Sequence, residues 1–185
     1  MNGSVYIETS IFGHLTARPT DNLIVAANIK ITQDWWNEHS SSFTLYASEI
    51  VEDEAAKGDP IIAAQRLNLL QSLMLLELTE DAFELSQAFL TQSNLPLKAS
   101  NDALHMALAT VYNLDYLLTW NCKHMANAQI QRKLAQISSD LGYILPVIWL
   151  SQVWWVKCIL RYITPSEGVE RTTKTQRTQR SIDPM

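Results

Sequence analysis

Apolar and polar positions alternate along the chain in a way that predicts strands and helices in turn. Short β-rich runs, typical of strands, occur at residues 4–7, 43–46, 73–78, 115–119 and 147–150. Between them, apolar residues recur at spacings of three and four, which indicates helices with one packed face. Since each connection between strands contains a helix, we expect an α/β fold of three layers. Its centre is a mostly parallel sheet of four or five strands.

Four of these elements are predicted in more detail. The helix that begins at Asp21 is expected to pack through Ile24, Ala27, Ile31 and Trp35. Ser48 is expected to be the N-cap of a later helix, and Ser100 to begin another. The run 73–78 is predicted to be a buried strand, because only Glu77 interrupts its apolar residues.

The chain divides into three predicted regions. Its 185 residues suit one domain, which we place at residues 1–150. A Trp-rich extension follows at 151–164, and the Ser-, Thr-, Gln- and Arg-rich residues 165–185 are predicted to be a disordered basic tail. The most apolar stretch, 144–160, is interrupted by polar residues and is shorter than the roughly 20 apolar residues of a membrane span. No membrane association is expected.

Charge and cysteine content narrow the classes of protein. The net charge is −5, and residues 1–160 hold 9 Lys and Arg against 16 Asp and Glu. This argues against binding nucleic acid through a broad basic surface, but metal cations can supply positive charge locally. Cys122 and Cys158 form no C-x-x-C pair. Together with the absence of a signal-peptide pattern, this predicts reduced thiols and a cytoplasmic protein.

Several polar side chains fall where the predicted strands end. Glu8 follows the first strand and Asn121 the fourth, and ligands of parallel sheets bind at this edge. A buried carboxylate needs a partner, and a cation is a natural one. The alternative for Glu8 is an N-cap or a salt bridge. The alternative for Asn121 and its neighbours Thr119 and His124 is a capped turn with a surface histidine.

The other acidic candidates lie on helices. Asp102 is in the first turn of an apolar helix, where an acidic residue is also explained by the helix dipole alone. At most two residues of an acidic run can face one side, and the others are expected to be solvated; the run comprises Glu49, Glu52, Asp53 and Glu54. His105 is interpreted as a helix residue that packs beside the site. Oxygen-rich candidates favour Mg²⁺ or Mn²⁺.

Four segments, in this order, resemble the motif regions of PIN-domain proteins, in particular VapC-like toxins of type II toxin–antitoxin systems. The segments are residues 5–11 (VYIETSI), 48–54 (SEIVEDE), 101–109 (NDALHMALA) and 117–124 (LLTWNCKH). The resemblance covers about residues 4–148. It implies a PIN-like fold and a metal-dependent endoribonuclease that uses Mg²⁺, with Mn²⁺ as a possible substitute.

The resemblance also implies roles for individual residues. Glu8, Glu54 and Asp102 match the three acidic, metal-binding positions, and Asn121 matches a fourth catalytic position that is often acidic. Possible substrate contacts are Thr9, Thr119 and His124. The implied partners are an RNA substrate, a cognate antitoxin and a second copy of the chain. The chain departs from the family pattern in having Glu for Asp at the first position and a neutral Asn at the fourth.

Two alternatives remain open. One is a PIN-fold binding module that no longer cuts RNA, which the neutral Asn121 and the acidic body would suit. The other is a phosphatase of similar architecture. It would need an aspartate nucleophile after the first strand, where this chain has Glu8. No phosphate-binding, dinucleotide-binding or serine-hydrolase motif is present in the sequence.

Overall fold

A computed structural model describes residues 2–93 and 95–150. It contains five strands: β1 (Gly3–Ile7), β2 (Phe43–Ser48), β3 (Met74–Leu76), β4 (Tyr116–Thr119) and β5 (Val147–Leu150). The α-helices are α1 (Thr9–Leu15), α2 (Leu23–Glu38), α3 (Glu49–Ala55), α4 (Pro60–Leu70), α5 (Glu80–Gln92), α6 (Ser100–Val111) and α7 (Ala128–Asp140). The predicted Trp-rich extension and basic tail lie outside the described residues.

The five strands form one sheet in the order β3-β2-β1-β4-β5, and every pairing is parallel. This confirms the predicted α/β fold. From β1 the chain proceeds to β2 on one side, and β4 pairs with the other side of β1. The order therefore reverses at β1, and a crevice at the carboxyl ends of β1 and β4 is where such sheets bind ligands.

The core lies on both sides of β1, whose Tyr6 and Ile7 are fully buried. Helix α6 is buried over most of its length, including every residue from Met106 to Thr110. An apolar helix with this burial is fixed relative to the sheet by close packing. Its first turns, which carry Asp102 and His105, are consequently held in a defined position.

Two sequence predictions are wrong in detail. The run 73–78 is not a buried strand, because β3 lies at the sheet edge with Met74 and Leu75 exposed. Helix α2 does not pack through Ile24 and Ala27, which are exposed. Only its C-terminal half covers the core, so its buried residues are Thr32 and Trp35.

Helix α1 was not predicted, because residues 9–15 are too few to show a helical period and include a glycine. The turn expected after Glu8 is in fact the start of this helix. Among the helices of the described part of the chain, none combines the length and the apolar character needed to cross a membrane.

Candidate active site

Glu8 is a buried carboxylate at the end of the central strand, and only 6% of its surface is exposed. It occupies the N-cap position of α1, but its side chain makes no capping hydrogen bond. Its Oε2 instead accepts hydrogen bonds from the hydroxyls of Ser10 and Thr119, the latter at 2.8 Å. The N-cap alternative is thus correct for the position of Glu8 but not for its side chain, whose carboxylate is held against the end of β4.

The two hydroxyls that bind Glu8 are themselves oriented by backbone groups. Ser10 Oγ accepts from the backbone N–H of Trp120, and Thr119 Oγ1 accepts from that of Asn121, each at 2.8 Å. Because these acceptors are satisfied by backbone donors, both hydroxyl protons are free to point at Glu8. A carboxylate oxygen can accept from both donors at once.

Glu54 lies in the last turn of α3 and is fixed by three donors from two other helices. Its Oε2 accepts from the Thr9 hydroxyl and lies 3.2 Å from His105 Nε2, and its Oε1 accepts from Asn101 Nδ2 at 2.6 Å. Partial burial alone would raise the pKa of this carboxyl. The hydrogen bonds from His105, Thr9 and Asn101 outweigh that effect and lower the pKa of Glu54 to about 2.

A buried series of hydrogen bonds connects Glu54 to the interior. His105 Nδ1 lies 2.8 Å from the Tyr6 hydroxyl, which lies 2.7 Å from Ser48 Oγ. A neutral His105 with its proton on Nε2 satisfies the whole series, since Ser48 then donates to Tyr6 and Tyr6 to His105. Burial raises the pKa of Tyr6 above its ordinary value. Ser48 is at the N-cap position of α3, as predicted, but its hydroxyl serves Tyr6 and not the helix.

Glu8, Glu54 and His105 form one compact group, referred to below as the acid cluster. Each contributes one potential metal-ligand atom, and these atoms all lie within 4.8 Å of one another. Two carboxylates this close repel each other in a poorly solvated site. A divalent cation would offset that repulsion, and carboxylate oxygens are the ligands that Mg²⁺ and Mn²⁺ prefer. The donor set therefore fits such an ion.

Asp102 lies on α6 beside the acid cluster but is not one of its members. Its Oδ2 is 2.7 Å from Nδ1 of His124. The other ring nitrogen of His124, Nε2, is buried and has no hydrogen-bond partner among the residues that the structure describes. Asn121 Oδ1 accepts from the backbone N–H of His124 at 3.1 Å, so this amide caps the turn after β4.

The structure thus brings some of the predicted site residues into direct contact. Glu54 binds Thr9, and Glu8 binds Thr119. Asp102 and His124 form a neighbouring pair, connected to the cluster through Asn101, the residue before Asp102. In the acidic run of α3, Glu52 and Asp53 are exposed, which confirms that at least two of its members are solvated.

Sequence reasoning missed the parts played by Ser10, Asn101 and His105. His105 was expected to pack beside the site, whereas it contacts Glu54 and belongs to the acid cluster. One signal was available in the sequence. Asn101 and His105 are four positions apart on a predicted helix, so they share a face, and both bind Glu54.

Comparison with known proteins gives a match in structure only. No family model and no curated protein matches the sequence. The fold is similar to the crystal structure of VapC20 from Mycobacterium tuberculosis, described as a Sarcin-Ricin loop cleaving toxin, with a TM-score of 0.50 and 13% identity. The similarity covers 76% of this chain and 96% of that chain.

Two further solved structures are less similar. One is VapBC2 from Rickettsia felis bound to a DNA fragment from its promoter, at a TM-score of 0.43 and 14% identity over 80% of this chain and 98% of that chain. The other is FitAB bound to an IR36 DNA fragment, at a TM-score of 0.48 and 13% identity over 80% of this chain and 94% of that chain. At 13% identity, the fold is what this chain shares with VapC20. The fold expected from the resemblance is confirmed.

Proposed function

We propose that this chain, whose fold is the PIN-like fold of VapC-type toxins, is a divalent-metal-dependent endoribonuclease and the toxin of a toxin–antitoxin pair. Residues 1–150 would form its nuclease domain. The observation that supports the proposal best is the acid cluster. Two partly or fully buried carboxylates, Glu8 and Glu54, converge with His105 within 4.8 Å at the ligand-binding edge of the sheet.

In this proposal Glu8 and Glu54 hold Mg²⁺ or Mn²⁺, and Asp102 provides the third carboxylate from α6. Such an ion lowers the pKa of a bound water and stabilises negative charge on a phosphodiester. The hydroxyls of Ser10 and Thr119 orient the Glu8 carboxylate, and the three donors on Glu54 orient that carboxylate and lower its pKa. Fixing ligand orientation in this way is a common function of groups behind a metal site.

The predicted substrate contacts divide into two kinds. The hydroxyls of Thr9 and Thr119 donate to carboxylates, so we assign them as positioning residues. We assign to His124 a hydrogen bond from Nε2 to a phosphate oxygen of the RNA. This nitrogen has no partner in the described part of the chain, and Asp102 binds Nδ1. Asn121, at the fourth catalytic position, would act by shaping the turn that carries His124.

Cleavage of a labelled RNA by the full chain, with and without divalent ions, tests the proposal. We expect product with Mg²⁺ or Mn²⁺ and none in EDTA. Glu8→Gln and Glu54→Gln should each lower the rate at least ~100-fold, the upper end of what weaker perturbations of metal sites cost. Glu52→Gln is the matched control, because Glu52 lies on the same helix as Glu54 but is exposed. Unchanged cleavage by Glu8→Gln would refute the assignment.

A binding module without nuclease activity is the second candidate. It is favoured by Asn121, a neutral residue whose amide oxygen is already hydrogen-bonded to the backbone. The same assay separates the two candidates. A binding module would bind RNA or protein but would yield no product at any Mg²⁺ or Mn²⁺ concentration.

The remaining parts of the proposal come from the resemblance. They are a cognate antitoxin, a homodimer and a cytoplasmic location. Light scattering of the purified chain, alone and with the product of a neighbouring small gene, tests the first two. We expect a dimer, and suppression of RNA cleavage when the antitoxin binds. A monomer that the neighbouring gene product leaves active would contradict both.

A further inference from the structure

We propose that a basic cleft next to the acid cluster binds a phosphate group of the RNA strand, at a neighbouring position to the one that is cut. The inference rests on the proposed function. The cleft has a volume of about 410 Å³, and the residues that matter here are Gly13, Arg18, Lys57, Asp59 and Arg66, which all line it.

The cleft concentrates positive charge in a chain that has little of it. Residues 1–150 contain eight lysines and arginines, and three of them line this one cleft; the eight are Arg18, Lys30, Lys57, Arg66, Lys98, Lys123, Arg132 and Lys133. The acidic residue of the cleft, Asp59, forms an exposed ion pair with Arg18 at 2.8 Å. Lys57 and Arg66 therefore leave the cleft with a net positive charge. Such a site attracts phosphate.

Arg66 is held in place with donor capacity to spare. Its Nη2 donates to the backbone carbonyl of Lys57, which fixes the guanidinium across the end of α3. Its Nε is buried and lacks a hydrogen-bond partner within residues 2–93 and 95–150. A guanidinium presents its donors as a rigid fork that matches a phosphate, and a fixed one loses little freedom on binding.

Gly13 gives independent support from the opposite wall of the cleft. It lies in the interior of α1, where glycine weakens a helix relative to alanine. A Cβ added at Gly13 would meet no heavy atom within 4 Å, so packing against the protein does not require a glycine. A surface that must stay open to a ligand explains it, because glycine allows a close approach to the backbone.

The cleft and the acid cluster are connected through α1 and the end of α3. Thr9, which contacts Glu54, and Gly13 are four residues apart and share a face of α1. The separation along the helix is about 6 Å. On the other wall, Lys57 follows Glu54 by three residues and its backbone N–H binds the Glu54 carbonyl. On this arrangement, an RNA strand with one phosphate at the acid cluster would reach the cleft with another.

An acidic protein segment would offer carboxylates to the same arginine and lysine. We favour RNA because the cleft adjoins the site where a phosphodiester would be cut. The experiment below distinguishes the two ligands by competition.

The test measures binding without cleavage. The probe is a fluorescein-labelled oligouridylate, followed by anisotropy with the full chain in EDTA. Arg66→Gln and Lys57→Gln should each weaken binding roughly threefold to tenfold, the net value of one ordinary hydrogen bond. Each should also lower the slope of log K against log salt by about 0.7. Arg132→Gln, an exposed charge on α7 outside the cleft, is the control and should change neither.

Two further variants separate charge from shape. Asp59→Asn keeps an N-cap for α4 and removes the negative charge of the cleft, so it should tighten binding. Gly13→Leu keeps a good helix former in α1 and fills the cleft, so it should weaken binding while thermal unfolding stays at or above the wild-type temperature. These two changes leave Arg66 and its contact with Lys57 intact.

Several results would overturn the inference. They are the absence of binding by the wild type, an equal loss in Arg132→Gln, or competition by an oligoglutamate as strong as that of unlabelled RNA. Failure of the nuclease proposal has a different outcome. In that case no product forms with Mg²⁺ or Mn²⁺, while the effects of Arg66→Gln and Gly13→Leu on binding in EDTA persist.

Discussion

Tyr6 shows at the scale of a single residue how the interior of this protein is specified. Its hydroxyl is fully buried and joins Ser48 on β2 to His105 on α6. Three buried polar groups are thereby satisfied, and His105 is oriented towards Glu54. Removing one hydroxyl would leave two buried partners unsatisfied.

Tyr6→Phe is therefore expected to lower the free energy of unfolding by about 1–3 kcal/mol, the cost of unsatisfied buried polar groups. Urea unfolding of the variant against the wild type measures this. Tyr46→Phe, at the paired position on β2, is the control, because Tyr46 is only partly buried. Equal stability of the two variants would show that the hydrogen bonds of the Tyr6 hydroxyl add nothing to the free energy of unfolding.

Asp115 links two strands through a charge. Its Oδ2 accepts from both the backbone N–H and the hydroxyl of Ser4, at 2.8 and 2.7 Å, and these bonds lower the pKa of Asp115. A lowered pKa means that the ionised form stabilises the fold above the unfolded-state pKa. This contribution disappears as the pH falls through the folded-state pKa.

Asp115→Asn should accordingly reduce stability at neutral pH by about 1 kcal/mol or less, because the group is exposed and screened. The difference between the variant and the wild type should shrink as the pH falls below about 4, the ordinary pKa of an aspartate. Urea unfolding of both proteins between neutral and acidic pH measures it. A difference that is constant with pH would mean that the charge of Asp115 has no role.

Among the helices and strands, those with a clear apolar pattern were predicted from the sequence, and the shortest ones were missed or misplaced. Helix α6 and strands β1, β2, β4 and β5 were identified because each has a clear apolar period or β-rich run. Helix α1 has only seven residues, and β3 was assigned to the interior because position in a sheet is not encoded locally. Sheet order depends on the whole chain.

The same limit applies to the candidate site. Glu8 was predictable because it follows a strand, and Glu54 because it matches an acidic position in the family that the sequence resembles. Their hydrogen-bond partners were not, because Thr119 is 111 residues from Glu8 and His105 is 51 from Glu54. Only the fold brings such pairs together. The contact of His105 with Glu54 therefore could not be predicted from its place on a helix.

Two glycines test how helix ends and interiors differ in this fold. Gly142, with φ of 83°, ends α7 by a Schellman arrangement in which its N–H and that of Tyr143 bind carbonyls of the last turn. Gly142→Ala should lower the free energy of unfolding by about 1 kcal/mol, because an L side chain is strained at this φ.

Gly13→Ala should raise the free energy of unfolding by about 0.5–1 kcal/mol, since the site is helical and has space for a methyl group. Thermal or urea unfolding measures both, and the same sign for both would contradict this reasoning.

For the molecule as a whole, the acid cluster is a place where stability and proposed function oppose each other. Glu8 and Glu54 are both fixed by hydrogen bonds, which lower the pKa of Glu54, although the ligand atoms of the two residues lie within 4.8 Å of each other. Without a cation, this repulsion weakens the native state, and buried like charges are a common cost of functional sites. The fold tolerates it because Glu8 directly follows β1 and Glu54 lies on α3, and both elements are packed in the core.

Metal should therefore stabilise the wild type, and loss of one charge should stabilise the metal-free protein. With Mg²⁺ or Mn²⁺ at 100 times its Kd, the free energy of unfolding is expected to rise by about 2.7 kcal/mol. Glu8→Gln should be at least as stable as the wild type in EDTA, because its amide still accepts a hydrogen bond while the repulsion is gone, and it should gain little from metal. Glu52→Gln, with the same loss of charge on the exposed face of α3, should keep the full metal response.

Urea unfolding in EDTA, Mg²⁺ or Mn²⁺ measures the stability of all three proteins. A metal response in Glu8→Gln equal to that of the wild type would place the ion elsewhere, and a large loss of stability in EDTA would mean that Glu8 is retained for the fold and not for the ion.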